Sequence, residues 1–313
     1  MTLGNAAVPG AGPPTQRVIA VVGPTAAGKS DLAVDLALRL GGEVINADSM
    51  QLYRGMDVGT AKLGVPERRN VPHHLLDVWE VTRTASVAEY QELSRGAIDE
   101  VRGRGRVPLL VGGSGLYVRA ALDDLEFPGT DPVVRARLEA ELAEHGPGRL
   151  HERLRAQDPP AAEAILVGNG RRIVRALEVI EISGRPFTAT LPAHRYLYDA
   201  VQVGLTVPRA ELDERIGLRV RRMWDAGLVE EVKALEAVGL REGLTAGRAL
   251  GYAQVLRFLA GEWTREQAIE ETARATRRFA RRQESWFRRD PRVRWLRYDA
   301  PGLLDEALAL VRT

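Results

Sequence analysis

The sequence predicts an α/β fold, a doubly wound and largely parallel sheet interrupted by an α-helical insertion. Three observations carry that expectation. Apolar, β-branched runs alternate with stretches of helical periodicity, the pattern of parallel strands joined by crossover helices. The first run leads into G-P-T-A-A-G-K-S at residues 23–30, which matches the phosphate-loop pattern G-x-x-x-x-G-K-[ST] at every fixed position and marks the sheet as P-loop-type. Between residues 128 and 192 the strand-like runs stop and only helical stripes remain.

Each element has its own signal. Residues 1–16 are small, rich in Gly and Pro and almost uncharged, without the basic start or apolar run of a signal peptide, so a disordered tail is expected. Residues 17–22 read as a buried strand. The loop that follows contributes Gly23, Pro24, Thr25, Ala26, Ala27, Gly28, Lys29 and Ser30. In such a loop, backbone N–H groups and a helix N-terminus face an anion, Lys29 adds a point charge, and the Ser30 hydroxyl can ligate Mg²⁺. Leu32, Ala33, Leu36, Ala37 and Leu40 then recur at helical spacing, with Gly41-Gly42 closing the helix. A short strand over 43–47 ends at Asp48, a helix is expected over 86–101, and a strand over 106–111 runs into Gly112-Gly113-Ser114-Gly115.

In the insertion, Asp131-Pro132 and Asp158-Pro159 read as N-caps followed by Pro at the first helical position. Val134, Leu138 and Leu142 form one stripe, and Ile173, Leu177 and Ile180 another. The chain rejoins the core near Tyr198, which divides it into a core of 17–127 with 193–313 and an insertion of 128–192. Strands are expected at 201–206 and 293–297, a helix over 209–226, and a long helix from Thr264, where Thr264-x-x-Gln267 forms a capping box.

Composition narrows the function. No run approaches about 18 uninterrupted apolar residues, so no membrane span is expected. The absence of cysteine excludes disulfides and thiolate metal sites and suits the cytoplasm. A net charge of +2 says little about nucleic acid, but its placement says more. Residues 272–297 hold ten arginines against Glu284 and Asp290, with Trp286 and Phe287 among them. Arg274, Arg277, Arg278, Arg281 and Arg282 fall mostly on one helical face. Phosphate-backbone binding and a solvated helix face both fit this run.

The phosphate loop is a nucleotide- and ATP-binding signature, yet the strand over 106–111 ends in glycines rather than the Asp that an ATPase uses to hold Mg²⁺. Leu75-Leu76-Asp77 is a weak substitute. Asp48, at the end of the second strand, either faces the phosphate site or serves as an N-cap in a surface loop.

The polar segment after Asp48 carries a resemblance. D-S-M-Q-x-Y-x-x-M-D-V-G-T-A-K from residue 48, P-H-H-L-L-D at 72–77 and V-G-G-S-G-L-Y at 111–117 resemble the tRNA dimethylallyltransferases, also called tRNA isopentenyltransferases. R-R-I-V-R-A-L-E-V at 171–179, I-S-G-R-P at 182–186, R-A-L-G-Y at 248–252 and R-R-Q-E-S-W-F-R at 281–288 continue it, so that it spans residues 18 to 298.

The resemblance implies transfer of a dimethylallyl group from its diphosphate to the exocyclic amine of adenine 37, beside the anticodon. It implies a cytoplasmic monomer that binds a tRNA anticodon stem-loop, dimethylallyl diphosphate and Mg²⁺. Lys29 and Ser30 would meet the diphosphate, and Thr25 would line the donor site. Asp48 would be the general base, and Ser114 would hold the base or its amine. tRNA contacts are implied at Asp48, Ser49, Met50, Gln51, Ser114 and Arg135, and at Arg171, Arg172 and Arg175. They are also implied at Arg248, Gly251 and Tyr252, and at Arg281, Arg282, Gln283, Trp286 and Arg288, in a C-terminal helical part. Arg215 and Arg219 fit the diphosphate side or a solvated face equally well. Tyr252 and Trp286 are either base-stacking or core aromatics, and His73 and His74 read as structural. Two rivals stand beside this reading: a small-molecule or nucleoside kinase, and an RNA-remodelling ATPase. Incubation with tRNA and either labelled dimethylallyl diphosphate or ATP separates the three.

Overall fold

Six parallel strands, β1 (Val18–Val22), β2 (Gly42–Asn46), β3 (His73–His74), β4 (Val107–Gly112), β5 (Ala200–Thr206) and β6 (Val293–Arg297), form one sheet in the order β3-β2-β4-β1-β5-β6. The computed structural model describes residues 17–187 and 194–312. The tail expected over 1–16 lies outside the described residues, as does the insertion's expected end at Pro192. β1 and β4 are buried along their whole length, as apolar runs covered on both faces should be.

The order places β4 between β1 and β2, so three consecutive neighbours send their carboxyl ends to one edge. Those ends are the glycine loop after β1, Asp48 after β2, and Gly112-Gly113-Ser114 after β4. The strands crowd there. A Cβ on Gly112 would lie 2.1 Å from the Ala47 carbonyl oxygen, a backbone atom that cannot rotate away.

The helices follow their caps. α1 (Lys29–Leu40) starts from Gly28 at φ 90°, a left-handed conformation that glycine adopts without strain. α2 (Val87–Gly103) is capped by Ser86, whose hydroxyl accepts from Glu89 N. α3 (Gly115–Leu122) begins directly after Ser114. One correction concerns Gly42. Gly41 alone terminates α1, and Gly42 already belongs to β2, where a Cβ would lie 2.6 Å from the Val107 carbonyl oxygen. The strand therefore begins one residue before the expected 43.

Residues 123–197 form a compact unit of their own. It is wider than the expected 128–192, because a β-bridge between Asp123 and Tyr196 joins its two ends. It holds α4 (Pro132–Gln157), kinked at Gly146 before Pro147, with α5 (Pro159–Ala164) and α6 (Gly170–Ser183). Both Asp-Pro caps form: Asp131 accepts from Val133 N and Val134 N, and Asp158 from Ala161 N. Leu138, Leu150, Leu154, Ile173 and Leu177 make its core.

After β5 the main unit continues through α7 (Arg209–Asp225), α8 (Leu228–Glu236), α9 (Tyr252–Leu259), α10 (Arg265–Phe287) and α11 (Leu303–Arg312). The capping box of α10 forms in both directions, with Thr264 Oγ1 accepting from Gln267 N and Gln267 Oε1 accepting from Thr264 N. Ala268, Thr272, Ala275, Ala280, Gln283 and Phe287 are its buried stripe. No helix among the described residues is long and apolar enough to cross a membrane.

Candidate active site

The glycine loop is built from unusual backbone conformations. Gly23 at φ 135° passes so close to β5 that a Cβ would lie 2.8 Å from the Leu205 carbonyl oxygen, and Ala26 also has positive φ. Lys29, the first residue of α1, donates from Nζ to the Pro24 carbonyl at 2.7 Å, which folds its ammonium back over the loop. Burial pulls Lys29 from its ordinary 10.5 to about 8; Arg219 adds to the drop and Asp48 opposes it. Arg219 is itself held below its ordinary range by burial, with Asp48 acting against that. Lys29, Arg219 and Asp48 therefore share one field.

Asp48 is held by the side chain before it. Asn46, 4% exposed at the end of β2, accepts from Asp48 N at 2.8 Å and donates from Nδ2 to the carbonyls of Asp48 and Leu75, both at 3.0 Å. Asp48 Oδ1 accepts from Met50 N at 2.9 Å. Ser114 binds the same turn, its Oγ accepting from Ser49 N at 3.2 Å and donating to Ser49 Oγ at 3.4 Å. The sequence reading missed Asn46; its signal was a buried-strand residue two positions before an acid, the spacing of a side chain that caps a turn.

Two cavities meet at these residues. The first is lined by Thr25, Lys29, Ser30, Asn46, Asp48, Gln51, Thr60, His73, Gly112 and Arg219, among others. The second, about 330 Å³, shares Thr25, Asp48, Thr60 and Arg219 with it. It adds an apolar wall of Met50, Ile216, Val220, Met223, Leu250 and Phe279, with Arg248 and Arg282 also on its lining. A third, open cleft runs from Gly28, Lys29 and Ser30 to Lys62, Arg215, Arg219 and Arg222, with Asp31, Asp57 and Glu67 also on its lining. One end is thus cationic around the loop, the other apolar with an arginine rim, and the carboxylate borders both. No group of three His, Asp or Glu side chains that could hold a metal occurs among the described residues. A divalent cation here would take Ser30 and oxygens of a bound diphosphate, a donor set that suits Mg²⁺.

The residues singled out from the sequence divide into three groups. Lys29, Ser30, Thr25, Asp48, Gln51 and Arg219 converge on the first cavity. Arg215, on α7, donates to the Ala26 carbonyl at 2.9 Å and lies over the Tyr298 ring, which brings it to the loop rather than to solvent. Arg171, Arg172, Arg248, Arg281, Arg282 and Arg288 are exposed.

The third group makes bonds within the protein. Gln283 is 5% exposed and spends its amide inside the protein, accepting from Thr25 N at 2.9 Å and donating to the Gly113 carbonyl at 3.0 Å. It ties the glycine loop to the turn after β4. Tyr252 is buried, its hydroxyl donating to Glu231 at 2.6 Å, and it also borders the second cavity. Arg135 and Arg175 both bind the fully buried Glu178. Burial alone would raise Glu178, but the two guanidinium groups outweigh it and hold the carboxyl below its usual range. Trp286 remains 41% exposed, with its ring against Gly115. His73 donates from Nδ1 to the Val71 carbonyl and His74 pairs with Glu43, as structural residues do.

Asp57 and Asp77, the other acids near this edge, are both bound by Lys62, whose Nζ lies 2.6 Å from each and whose side chain is 3% exposed. Asp48 is the acid that lines the first two cavities, and no ion pair joins it to Lys62.

Residues 51–290 match the IPP transferase family model, and residues 16–75 match an isopentenyl transferase model. The chain is 74% identical over 299 residues to the tRNA dimethylallyltransferase of Thermobifida fusca, covering 94% of each. It is 40% identical to the tRNA isopentenylpyrophosphate transferase of Bacillus halodurans, whose crystal structure it matches with a TM-score of 0.70 over 95% of each chain. A eukaryotic dimethylallyltransferase solved acting on tRNA shares the fold at a TM-score of 0.81 and 24% identity, over 94% of this chain and 77% of that one. The chain belongs to the tRNA dimethylallyltransferase family.

Proposed function

We propose that this prenyltransferase moves a dimethylallyl group from dimethylallyl diphosphate to the exocyclic amine of adenine 37 in a tRNA anticodon stem-loop, giving N6-dimethylallyladenosine and diphosphate. One observation carries the reading: Asp48 borders both the cationic cavity at Lys29 and Ser30 and the apolar cavity beside it. A diphosphate fits the first and an allyl chain with a planar base fits the second, which brings the allylic carbon and the amine together at the carboxylate.

The residues divide the work. The glycine loop amides and Lys29 receive the diphosphate, and their charge opposes the negative charge that grows as the allylic C–O bond breaks. Arg215 and Arg219 extend that field from α7. Mg²⁺, held by Ser30 and the phosphates, would neutralise part of the same charge. The amine of adenine is a weak nucleophile, because its lone pair is delocalised into the ring. Asp48 accepts its proton as the N–C bond forms. Asn46, Met50 N and Ser114 fix the turn that carries the carboxylate. Adenine 37 must leave the anticodon stack to reach this point. Arg248, Arg281, Arg282 and Arg288 are exposed to meet the phosphate backbone, and Arg171 and Arg172 are exposed on α6. A tRNA substrate and a chain without cysteine support a cytoplasmic location.

Asp48→Asn tests the reading. The change is nearly isosteric and keeps an oxygen for Met50 N. Donor binding should persist while single-turnover prenylation slows by about 10²–10⁴, the usual cost of losing a general base. Transfer near the wild-type rate with tRNA saturating would remove Asp48 from the chemistry.

A further inference from the structure

Residues 57–62 line the cavities and belong to no helix or strand, yet their backbone is held firmly. The holder is Glu231 on α8. Its Oε2 accepts from Asp57 N at 3.0 Å and Val58 N at 2.6 Å, and its Oε1 accepts from Gly59 N at 3.1 Å and the Tyr252 hydroxyl at 2.6 Å. Four donors converge on one carboxylate. The Tyr252 ring closes the clamp from the other side: a Cβ on Gly59 would lie 2.5 Å from it, so the backbone rests directly on the ring. Burial and the adjoining Glu231 keep the phenol far above its usual range, so it stays a donor.

The next residue shows what the clamp does. The Thr60 carbonyl accepts from Gln51 Nε2 at 3.2 Å and from an Arg219 guanidinium nitrogen at 3.4 Å. One carbonyl oxygen thus orients a side chain from the segment that carries Asp48 and the arginine that shares its field with Lys29. We infer that Glu231, with Tyr252, is a positioning residue for the transfer reaction: it fixes the turn at residues 57–59 so that the Thr60 carbonyl aims Arg219 at the donor diphosphate. Glu231 touches no reacting group, and nothing in the sequence pointed to it. The inference rests on the placement of Arg219 at the donor.

Glu231→Gln tests it by replacing one acceptor oxygen with an NH₂ that would face two donors. Tyr252→Phe is the milder companion, removing one donor and leaving the ring. With folding checked by circular dichroism, Glu231→Gln should raise KM for dimethylallyl diphosphate about five- to twentyfold and Tyr252→Phe about two- to fivefold, the worth of hydrogen bonds lost at one remove. Arg219→Ala should raise the same KM. The decisive measurement is the double variant, because a residue that works through Arg219 has nothing further to lose once Arg219 is gone. Glu231→Gln in the Arg219→Ala background should then leave donor KM within about twofold of Arg219→Ala alone. Full additivity, or an unchanged donor KM in both single Glu231 and Tyr252 variants, overturns the inference while the donor-site reading stands. An unchanged donor KM in Arg219→Ala overturns both.

Discussion

Donor binding should weaken as pH rises through about 8, because Lys29 loses its charge there. Burial and the neighbouring Arg219 bring Lys29 from 10.5 to about 8, with Asp48 opposing. At that value about nine-tenths of the free enzyme carries the ammonium at pH 7 and about one-tenth at pH 9. With a last phosphate pKa of about 6, the diphosphate is already about nine-tenths ionised at pH 7, so its own titration adds little above that pH. Since the charged form binds the anion, KM for dimethylallyl diphosphate should rise about tenfold between pH 7 and pH 9. The sign for folding is opposite. Between 8 and 10.5 the unfolded chain keeps a proton that folded Lys29 has lost, so the Lys29 contribution to stability increases as pH rises through this window. The assay is initial-rate prenylation at saturating tRNA from pH 6.5 to 9.5, with Lys29→Ala measured alongside. The variant should have a high KM that no longer changes with pH. A wild-type KM that stays flat to pH 9.5 would refute the argument, as would an equal rise in the variant.

Four further outcomes follow from the packing and the charge. Gln283→Ala leaves Thr25 N and the Gly113 carbonyl without their partner and should cost about 2–4 kcal/mol by urea denaturation; a loss under about 1 kcal/mol would mean that water replaces the amide. Gly112→Ala forces a Cβ against the Ala47 carbonyl and should destabilise by about 3 kcal/mol. Gly96→Ala on α2 meets open space and should stabilise by about 0.5–1 kcal/mol, so equal melting shifts for these two glycines would contradict the register of β2 and β4. Reversing the exposed Arg278 and Arg282 to Glu should flatten the salt dependence of tRNA binding by about 1.5 logarithmic units per decade, and an unchanged slope would return the arginine run to a solvated face.

What the sequence made legible was local. The glycine loop, the Asp-Pro caps, the capping box at Thr264 and the buried strands each declare themselves within a few residues, because turn geometry and orphan helix N–H groups are satisfied by neighbours in the chain. Strand order is not local. That Asp48 faces Lys29 depends on β4 entering between β1 and β2, and no periodicity in any of the three strands encodes that pairing. Long-range polar partners were hidden for the same reason. Glu231 lies 174 residues from Asp57, and Gln283 lies 258 residues from Thr25.

Helix α10 shows how the two kinds of information overlap. Its outward residues are arginines and its inward stripe is Ala268, Thr272, Ala275, Ala280, Gln283 and Phe287, mostly small or polar. Such a stripe gives little hydrophobic periodicity, so the sequence reads as a basic helix with one purpose, and Gln283 is grouped with the arginines around it. In the structure the small residues let α10 approach closely enough for Gln283 to reach Thr25 and the Gly113 carbonyl. The same helix thus joins the glycine loop to the turn that carries Ser114, while presenting Arg281, Arg282 and Arg288 to solvent. A phosphate backbone drawn to those arginines would press on an element already bonded to the donor loop. Gln283→Ala should therefore cost donor affinity as well as stability, and it should weaken any coupling between tRNA and donor binding. Measuring donor Kd with and without an anticodon stem-loop, in wild type and in Gln283→Ala, checks this: an equal tRNA effect in both proteins would mean that α10 carries RNA contacts and loop support side by side without linking them.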